Sequence, residues 1–494
     1  MVNDLNFVTP ESEGIPSEAI LDFIDFFEEL RVNVQSFIIV RHGNIVAEGY
    51  YKPFDKDSVK RIYSCTKSVV SYAVGKLYGE GLVDLNAPLV SYFPEIKNPH
   101  PEMAKVTVED ALKMCVPQSK CPYVLDKAVG DTITVDGGWT ANYFSGKNVI
   151  DKPHGRMFRY SSQSSYILGD MVKRITGKDF LDYLRPELDA IGVAKDIRCV
   201  RCPDGVQWAS SGMIITTRDF AKLGELLLTH GEYKGKQLLP RDYMERAVSK
   251  LVDTNHVGSI TPGKFGYGYQ MWQEPYGFGM HGMRGQVVHC FPDKELMVVI
   301  TSNESDYADK LYYAASRVYK KISDAPLAEN KEAFGRLSEK LSSLKINRSY
   351  GAAHSALEEK INGVTYRLGD NKMGITDFRL EFGEREGCFI FNMKGEEKKL
   401  PFGYGEYVDT TFPDKTFYDL TMNREGGREL STISTGSWGM PDRLLIVADI
   451  IDNTPGTLGI ALEFYGDEVA LQMTSIGEAI LSEYDGNTSG RAAN

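Results

Sequence analysis

Along this 494-residue chain the spacing of apolar positions changes character twice. Near the start, Ile20, Leu21, Ile24, Phe27 and Leu30 recur at helical spacing, which predicts an amphipathic helix over 16–32. Residues 35–50 then switch to a strand, a Gly-Asn turn and a second strand. Helical spacing returns at 64–80, where Val69, Val70, Ala73, Val74 and Leu77 share a side, and again at 107–115, 163–176 and 217–230. Residues 285–302 read as strand and 307–320 as a closing helix. Strands at both ends with helices between predict an α/β unit: an antiparallel sheet flanked by helices, with an all-helical subdomain.

The second change comes after a charged helical stretch at 325–345. From about residue 360 to 480 the chain breaks into short alternating runs separated by Gly, Asn, Asp and Pro. Ile460, Leu462 and Phe464 form one such run, and Val469, Leu471 and Met473 another. This is the pattern of an all-β barrel or sandwich. The expected division is 1–322 for the α/β unit, 323–349 for a helical linker and 350–494 for the C-terminal β domain.

An apolar share of 42% and a charged share of 25% exclude disordered and collagen-like classes. The net charge of −12, with no basic run interleaved with aromatics, argues against a nucleic-acid partner. No run of about 18 apolar residues suggests a membrane span. The stretch Met1–Pro10 has no basic region leading into an apolar one, so no signal peptide is expected. Seven cysteines in so long a chain do not make a disulfide scaffold, and together these features predict a cytoplasmic protein. Cys199 and Cys202 form a lone C-x-x-C and Cys115 and Cys121 a looser pair. A structural zinc site needs four ligands, so reduced, partly buried thiols and no metal or cofactor are expected.

Candidate chemistry starts at Ser64-Cys65-Thr66-Lys67. At the start of a helix, positions i and i+3 share a face, so hydroxyl and amine approach each other. A serine hydroxyl needs a base, and a lysine serves as one where burial or nearby positive charge favours the neutral amine. Free N–H groups at a helix N-terminus suit an oxyanion. The spacing alone says little: about two S-x-x-K matches are expected in such a chain, and a second stands at Ser342–Lys345 in the charged helix. Context carries the argument. Tyr160, between a strand-like Met157-Phe158 and a helix, offers a phenol able to relay a proton. Gly277-Phe-Gly-Met-His-Gly-Met-Arg-Gly-Gln286 formally matches G-x-G-x-x-G, but a strand follows it rather than a helix. A glycine-rich strand edge beside a pocket is the better reading.

These segments, in this order, resemble the serine β-lactamase and penicillin-binding-protein-like family of class C type, which includes esterases, D-aminopeptidases and 6-aminohexanoate-dimer hydrolases. The carrying segments are Ser64–Lys67, the run 77–96, Val106–Leu112, Phe158–Gly169, Ser211–Gly224 and Gly235–Pro240, within roughly 8–320. The resemblance implies acylation of Ser64, deprotonation by Lys67, a proton relay through Tyr160, and an oxyanion hole from the backbone N–H of Ser64 and of Met283. Gly282-Met-Arg-Gly-Gln286 is most similar to the 6-aminohexanoate-dimer hydrolase branch. Ser162 stands where the family usually has Asn, and His281-Gly282-Met283 replaces the usual third motif, which argues against β-lactam turnover. His281 is left with two roles, a positive charge toward a substrate carboxylate or simple packing, and Trp139 with two, pocket lining or packing.

The resemblance thus predicts a small-molecule or peptide-like acyl substrate, cleaved at an amide or ester bond. The alternatives are a β-lactamase or D,D-peptidase, a catalytically silent sensor on the same fold, and an acyltransferase. A C-terminal β domain of lipocalin-like type occurs in relatives, and is expected here to gate the site or join copies into a homo-oligomer.

Overall fold

The strand, turn and strand read at 35–50 fold as the hairpin β2 (Val34–Arg41) and β3 (Asn44–Tyr50), turned at His42 and Gly43, both with positive φ. The hairpin supplies two strands of a seven-stranded sheet. A computed structural model of the chain describes residues 6–118, 138–146, 149–150, 154–255, 265–304, 308–415, 427–477 and 479–493. The described residues fall into two compact units, one up to Leu344 and one from Lys345 onward.

In the first unit the sheet order is β1 (Asn6–Phe7), β3, β2, β12 (Leu296–Ser302), β11 (Gln286–Phe291), β10 (Gly277–Gly282) and β9 (Trp272–Glu274). All neighbours are antiparallel except the short edge pair β1–β3. The antiparallel β2–β12 pairing, Ile39 opposite Val298, joins the two ends of the unit's sequence. That central pair is buried along its whole length, and accordingly carries the consecutive apolar residues Phe37–Val40 on β2 and Leu296–Ile300 on β12.

Helices α1 (Ser17–Glu29), α8 (Thr217–Leu228) and α10 (Ala308–Tyr319) pack around this sheet. Between its halves run α2 (Thr66–Gly79), α3 (Val108–Leu112), α4 (Gly138–Phe144), α5 (Ser162–Thr176), α6 (Phe180–Tyr183), α7 (Arg185–Ala190) and α9 (Arg241–Ala247). A small sheet holds β4 (Val59–Arg61), β6 (Met213–Thr216) and β5 (Arg198–Cys199), and β7 (Glu232–Tyr233) pairs with β8 (Lys236–Gln237). Met157 and Phe158, read from sequence as strand-like, belong to no strand: this stretch is held by the Arg159 N–H donating to the Met114 carbonyl at 2.9 Å. Helix α11 (Lys331–Ser343) buries Ala333 and Leu337, and its Lys340 pairs with Asp25 and Glu28 of α1.

The second unit is a β-barrel, settling the choice between barrel and sandwich. Nine strands close a ring: β13 (Thr365–Leu368), β14 (Ile375–Phe382), β15 (Glu386–Met393), β16 (Glu396–Tyr404), β18 (Ser431–Met440), β19 (Arg443–Ile450), β20 (Gly456–Tyr465), β21 (Glu468–Ile476) and β22 (Gly486–Ala492), with β17 (Val408–Thr411) hairpinned onto β18. Closure is the parallel pairing of Gly403 with Thr435 and Tyr404 with Gly436. Every second side chain points inward, and Phe378, Phe389, Phe391, Leu400, Phe402, Ile446, Ile460, Leu462 and Leu471 fill the interior. A Cβ at Gly387 or Gly436 would strike the Phe402 ring, so these two glycines make room for it. A lipocalin barrel has eight strands, one fewer than this ring.

Candidate active site

The nucleophile candidate sits where β4 hands the chain to α2. Arg61 donates its Nε–H to the Ser211 carbonyl at 2.8 Å, and its guanidinium lies over the rings of Tyr63 and Trp208. Tyr63, buried, takes a φ of +44°, a conformation a bulky residue holds only under constraint. One short 3₁₀ turn, Tyr63–Cys65, then leads into α2. The Thr66 hydroxyl accepts from the Met213 N–H at 3.1 Å and ties the helix start to β6. Ser64 is left half-buried on this turn.

Lys67 lies one turn further on and is buried, with its ammonium nitrogen 3.1 Å from Ser64 Oγ and donating to the Ser210 carbonyl at 2.5 Å. The same nitrogen stands 5.1 Å from the centre of the Tyr160 ring. Tyr160 is 36% exposed and stacks on Trp272 of β9, centroids 5.5 Å apart and planes at 21°. Trp272 also packs edge-on to Tyr267 and Phe158, so the phenol is backed by an aromatic cluster. Three segments far apart in sequence thus meet around one hydroxyl.

The glycine-rich strand edge completes the site from the other side. A Cβ on Gly282 would lie 2.3 Å from the Ile62 carbonyl oxygen and 3.2 Å from Cys65 Sγ. Only glycine lets the end of β10 press against the backbone flanking Ser64. Met283, next in the chain and 45% exposed, is therefore delivered beside the nucleophile turn. The turn after it has positive φ at Arg284 and Gly285. Gln286 Nε2 donates to the Ser302 carbonyl at 2.7 Å, and Ser302 Oγ to the Arg284 carbonyl at 2.6 Å, pinning the turn to β12.

Of the residues read from sequence, Ser64, Lys67, Tyr160, Gly282 and Met283 come together here. Ser162 is the first residue of α5, two positions beyond Tyr160, and Ser161 caps that helix by accepting from the Ser164 N–H. His281 faces elsewhere. Its side chain is 3% exposed, and Nε2 bonds Glu274 Oε1 at 2.6 Å, while His289 Nδ1 bonds the same oxygen at 2.7 Å. Burial alone would raise the Glu274 pKa, but the two imidazoles outweigh it and hold the carboxyl at about 2. Of the two roles open to His281, the buried one matches this placement. Glu274, His281 and His289 thus bring three ligand-type atoms within 4.8 Å of one another, joined here by hydrogen bonds. Trp139 is buried too, edge-on to Tyr166 of α5, with its backbone N–H donating to Asp204 Oδ2 at 2.6 Å. Cys199 and Cys202 are buried free thiols, and burial raises both pKa values, that of Cys202 to about 11; Cys121 lies outside the described residues.

Sequence reasoning passed over Trp272, Glu274 and the Ser210 carbonyl. The signal for the first was the dense run Gly266-Tyr-Gly-Tyr-Gln-Met-Trp272, too aromatic and glycine-rich for an ordinary loop.

A family model described as beta-lactamase matches residues 25–319, the stretch that contains every one of these segments. The chain belongs to the beta-lactamase family. It is a hydrolase of that serine-dependent group. Among curated relatives, the 6-aminohexanoate-dimer hydrolase of Paenarthrobacter ureafaciens is 23% identical over 291 residues, covering 55% of this chain and 73% of that one. A penicillin-binding protein homologue from Caulobacter crescentus superposes with a TM-score of 0.50 at 17% identity, over 63% of this chain and 99% of that one. The octameric penicillin-binding protein homologue from Pyrococcus abyssi gives 0.50 at 16% identity, over 95% of this chain and 99% of its own. Both structural likenesses show the shared fold. Among the described residues no helix is long and apolar enough to cross a membrane.

Proposed function

We propose that this beta-lactamase-family hydrolase cleaves an amide or ester bond through an acyl intermediate on Ser64. The observation that carries the reading is the 3.1 Å contact between Lys67 Nζ and Ser64 Oγ, under the Tyr160 ring. Lys67 takes the hydroxyl proton as Ser64 Oγ attacks the substrate carbonyl carbon, serving as the base that a serine hydroxyl needs. The oxyanion is held by the N–H groups of Ser64 and Met283. Tyr160 passes a proton to the leaving amine or alcohol as the tetrahedral intermediate collapses, and water then releases the acyl group by the same route.

The relative named as a 6-aminohexanoate-dimer hydrolase supports an amide substrate. With His281 engaged by buried Glu274, the third motif brings no cation to the substrate, which sets the site apart from that of a plain β-lactamase. A fluorophosphonate probe should label the protein at Ser64, located by peptide mass spectrometry, and Ser64→Ala should lose both label and turnover of p-nitrophenyl esters and amino-acid amides. Equal labelling of Ser64→Ala would discard the reading. The octameric relative supports self-assembly, which sedimentation analysis tests directly.

A further inference from the structure

One buried residue ties these segments together without entering the chemistry, its backbone carbonyl bonded to α2 and its side chain to α3 and α5. Gln270 is 2% exposed and has a backbone φ of +63°. A glutamine is rarely found in that left-handed region, and stays there only when its surroundings over-determine it. Here they do. Its peptide N–H donates to the Leu112 carbonyl at 3.2 Å, and its own carbonyl accepts from Ser68 Oγ at 2.8 Å. Its side-chain Nε2 donates to the carbonyls of Ala111 at 3.1 Å and Leu112 at 2.8 Å, and its Oε1 accepts from Ser165 Oγ at 2.5 Å.

These bonds reach three helices. Ser68 follows Lys67 directly on α2. Ala111 and Leu112 lie on α3. Ser165 is in the first turn of α5, whose start carries Tyr160. Two residues beyond Gln270 comes Trp272, the ring stacked on Tyr160. The bonding demand fits one residue type: an acceptor toward a hydroxyl and two donor hydrogens toward two carbonyls, on a side chain of this length. Glutamate would turn an acceptor against the two carbonyls, asparagine would fall a methylene short, and glycine would meet the φ but supply no amide.

We propose that Gln270 is a positioning residue for acylation: it fixes the register between the helix carrying Ser64 and Lys67, the Tyr160 segment and the strand carrying Trp272. This rests on the reading of Ser64, Lys67 and Tyr160 given above. Proton transfer needs hydrogen-bond contact, and a displacement near 1 Å between those segments costs of order 10²-fold in rate.

The test uses the full chain and compares Gln270→Gly, Gln270→Ala and Ser165→Ala with the parent. Pre-steady-state bursts with a p-nitrophenyl ester give the acylation rate, fluorophosphonate labelling of Ser64 gives a second reading, and thermal melts and circular dichroism give stability. Glycine removes the side chain and the left-handed φ cost together, so Gln270→Gly should melt above Gln270→Ala. Both should acylate about 10- to 100-fold more slowly than the parent with KM within about threefold, and Ser165→Ala should lose a smaller factor. Activity that fails to recover while stability does marks positioning. Rates that track the melting temperature, or a folded Gln270→Gly that acylates at the parental rate, would overturn the role of Gln270. A parent that carries no label on Ser64 would instead overturn the reading of the site itself.

Discussion

In the barrel, order comes from repetition: inward apolar and outward polar side chains alternate along strands such as β14, β20 and β21, and each strand pairs with its neighbours through a ladder. In the α/β unit the elements that matter for chemistry are short, and single polar bonds hold them. Tyr63 and Gln270 have positive φ, Glu274 is a buried carboxylate between two imidazoles, and β9 runs only from Trp272 to Glu274. A repeating pattern can lose one member and keep its form. A site held by single bonds at strained positions loses its geometry with one of them, and strain of this kind gathers where function needs it.

The sharpest way to test that contrast is to remove the proposed base. Lys67→Ala leaves the apolar residues of α2 in place, so the fold should survive. Acylation of Ser64 should fall by about 10²- to 10⁴-fold, the range for a lost general base, as read in burst experiments. A loss below tenfold would assign the base elsewhere.

The barrel should answer differently. Phe391, 1% exposed and stacked on Phe389 at 4.9 Å, has no polar partner to lose. Phe391→Ala should cost the barrel about 3–5 kcal/mol through the cavity it leaves, measured by chemical denaturation of the full chain. A cost under 1 kcal/mol would mean that the barrel interior collapses around the gap.

The same contrast governs what the sequence revealed. Ser64, on the 3₁₀ turn, and Lys67, in the first turn of α2, are three residues apart, so their meeting is a local fact. Gly282 was legible because a strand edge so rich in glycine implies close approach. The role of His281 was not legible, because its partners Glu274 and His289 come from the two strands beside it and only the register of the sheet aligns them. Trp272 and Tyr160 meet across more than a hundred residues. In the β region, alternation predicted strands but could not separate barrel from sandwich. That depends on two pairings beyond the hairpins, Tyr366 with Ala492 and Gly403 with Thr435. Motifs arriving in order along the chain thus pointed to Ser64 as the candidate nucleophile, whereas closure and the supports of the site are properties of the tertiary fold.

Trp272→Ala probes one of those supports. It removes the surface on which the Tyr160 ring is stacked but leaves the Ser64–Lys67 contact intact. Acylation should fall about tenfold, and Trp272→Phe should recover part of it, since a smaller ring still offers a face. Equal rates in all three proteins would show that the Tyr160 ring is held by other contacts.

The smallest effect concerns a buried charge outside the site. Glu225, on α8, is 7% exposed, and its Oε2 has no hydrogen-bond partner among the described residues. Burial, with a minor contribution from Glu295, pushes its pKa up to about 7 from the usual carboxylate value of 4.5. Because the folded chain holds this proton more tightly than the unfolded chain does, the associated stability is fully present below about pH 4.5 and is lost as pH rises through about 7. Glu225→Gln keeps the shape and cannot ionise. The variant should therefore be more stable than the parent at pH 8, by about 1–3 kcal/mol, with the difference shrinking toward pH 5. Denaturation curves at the two pH values check this. A parent no less stable than the variant at pH 8 would mean that the carboxylate finds compensation there, and that this part of the α/β unit tolerates an unpaired charge as its active site does not.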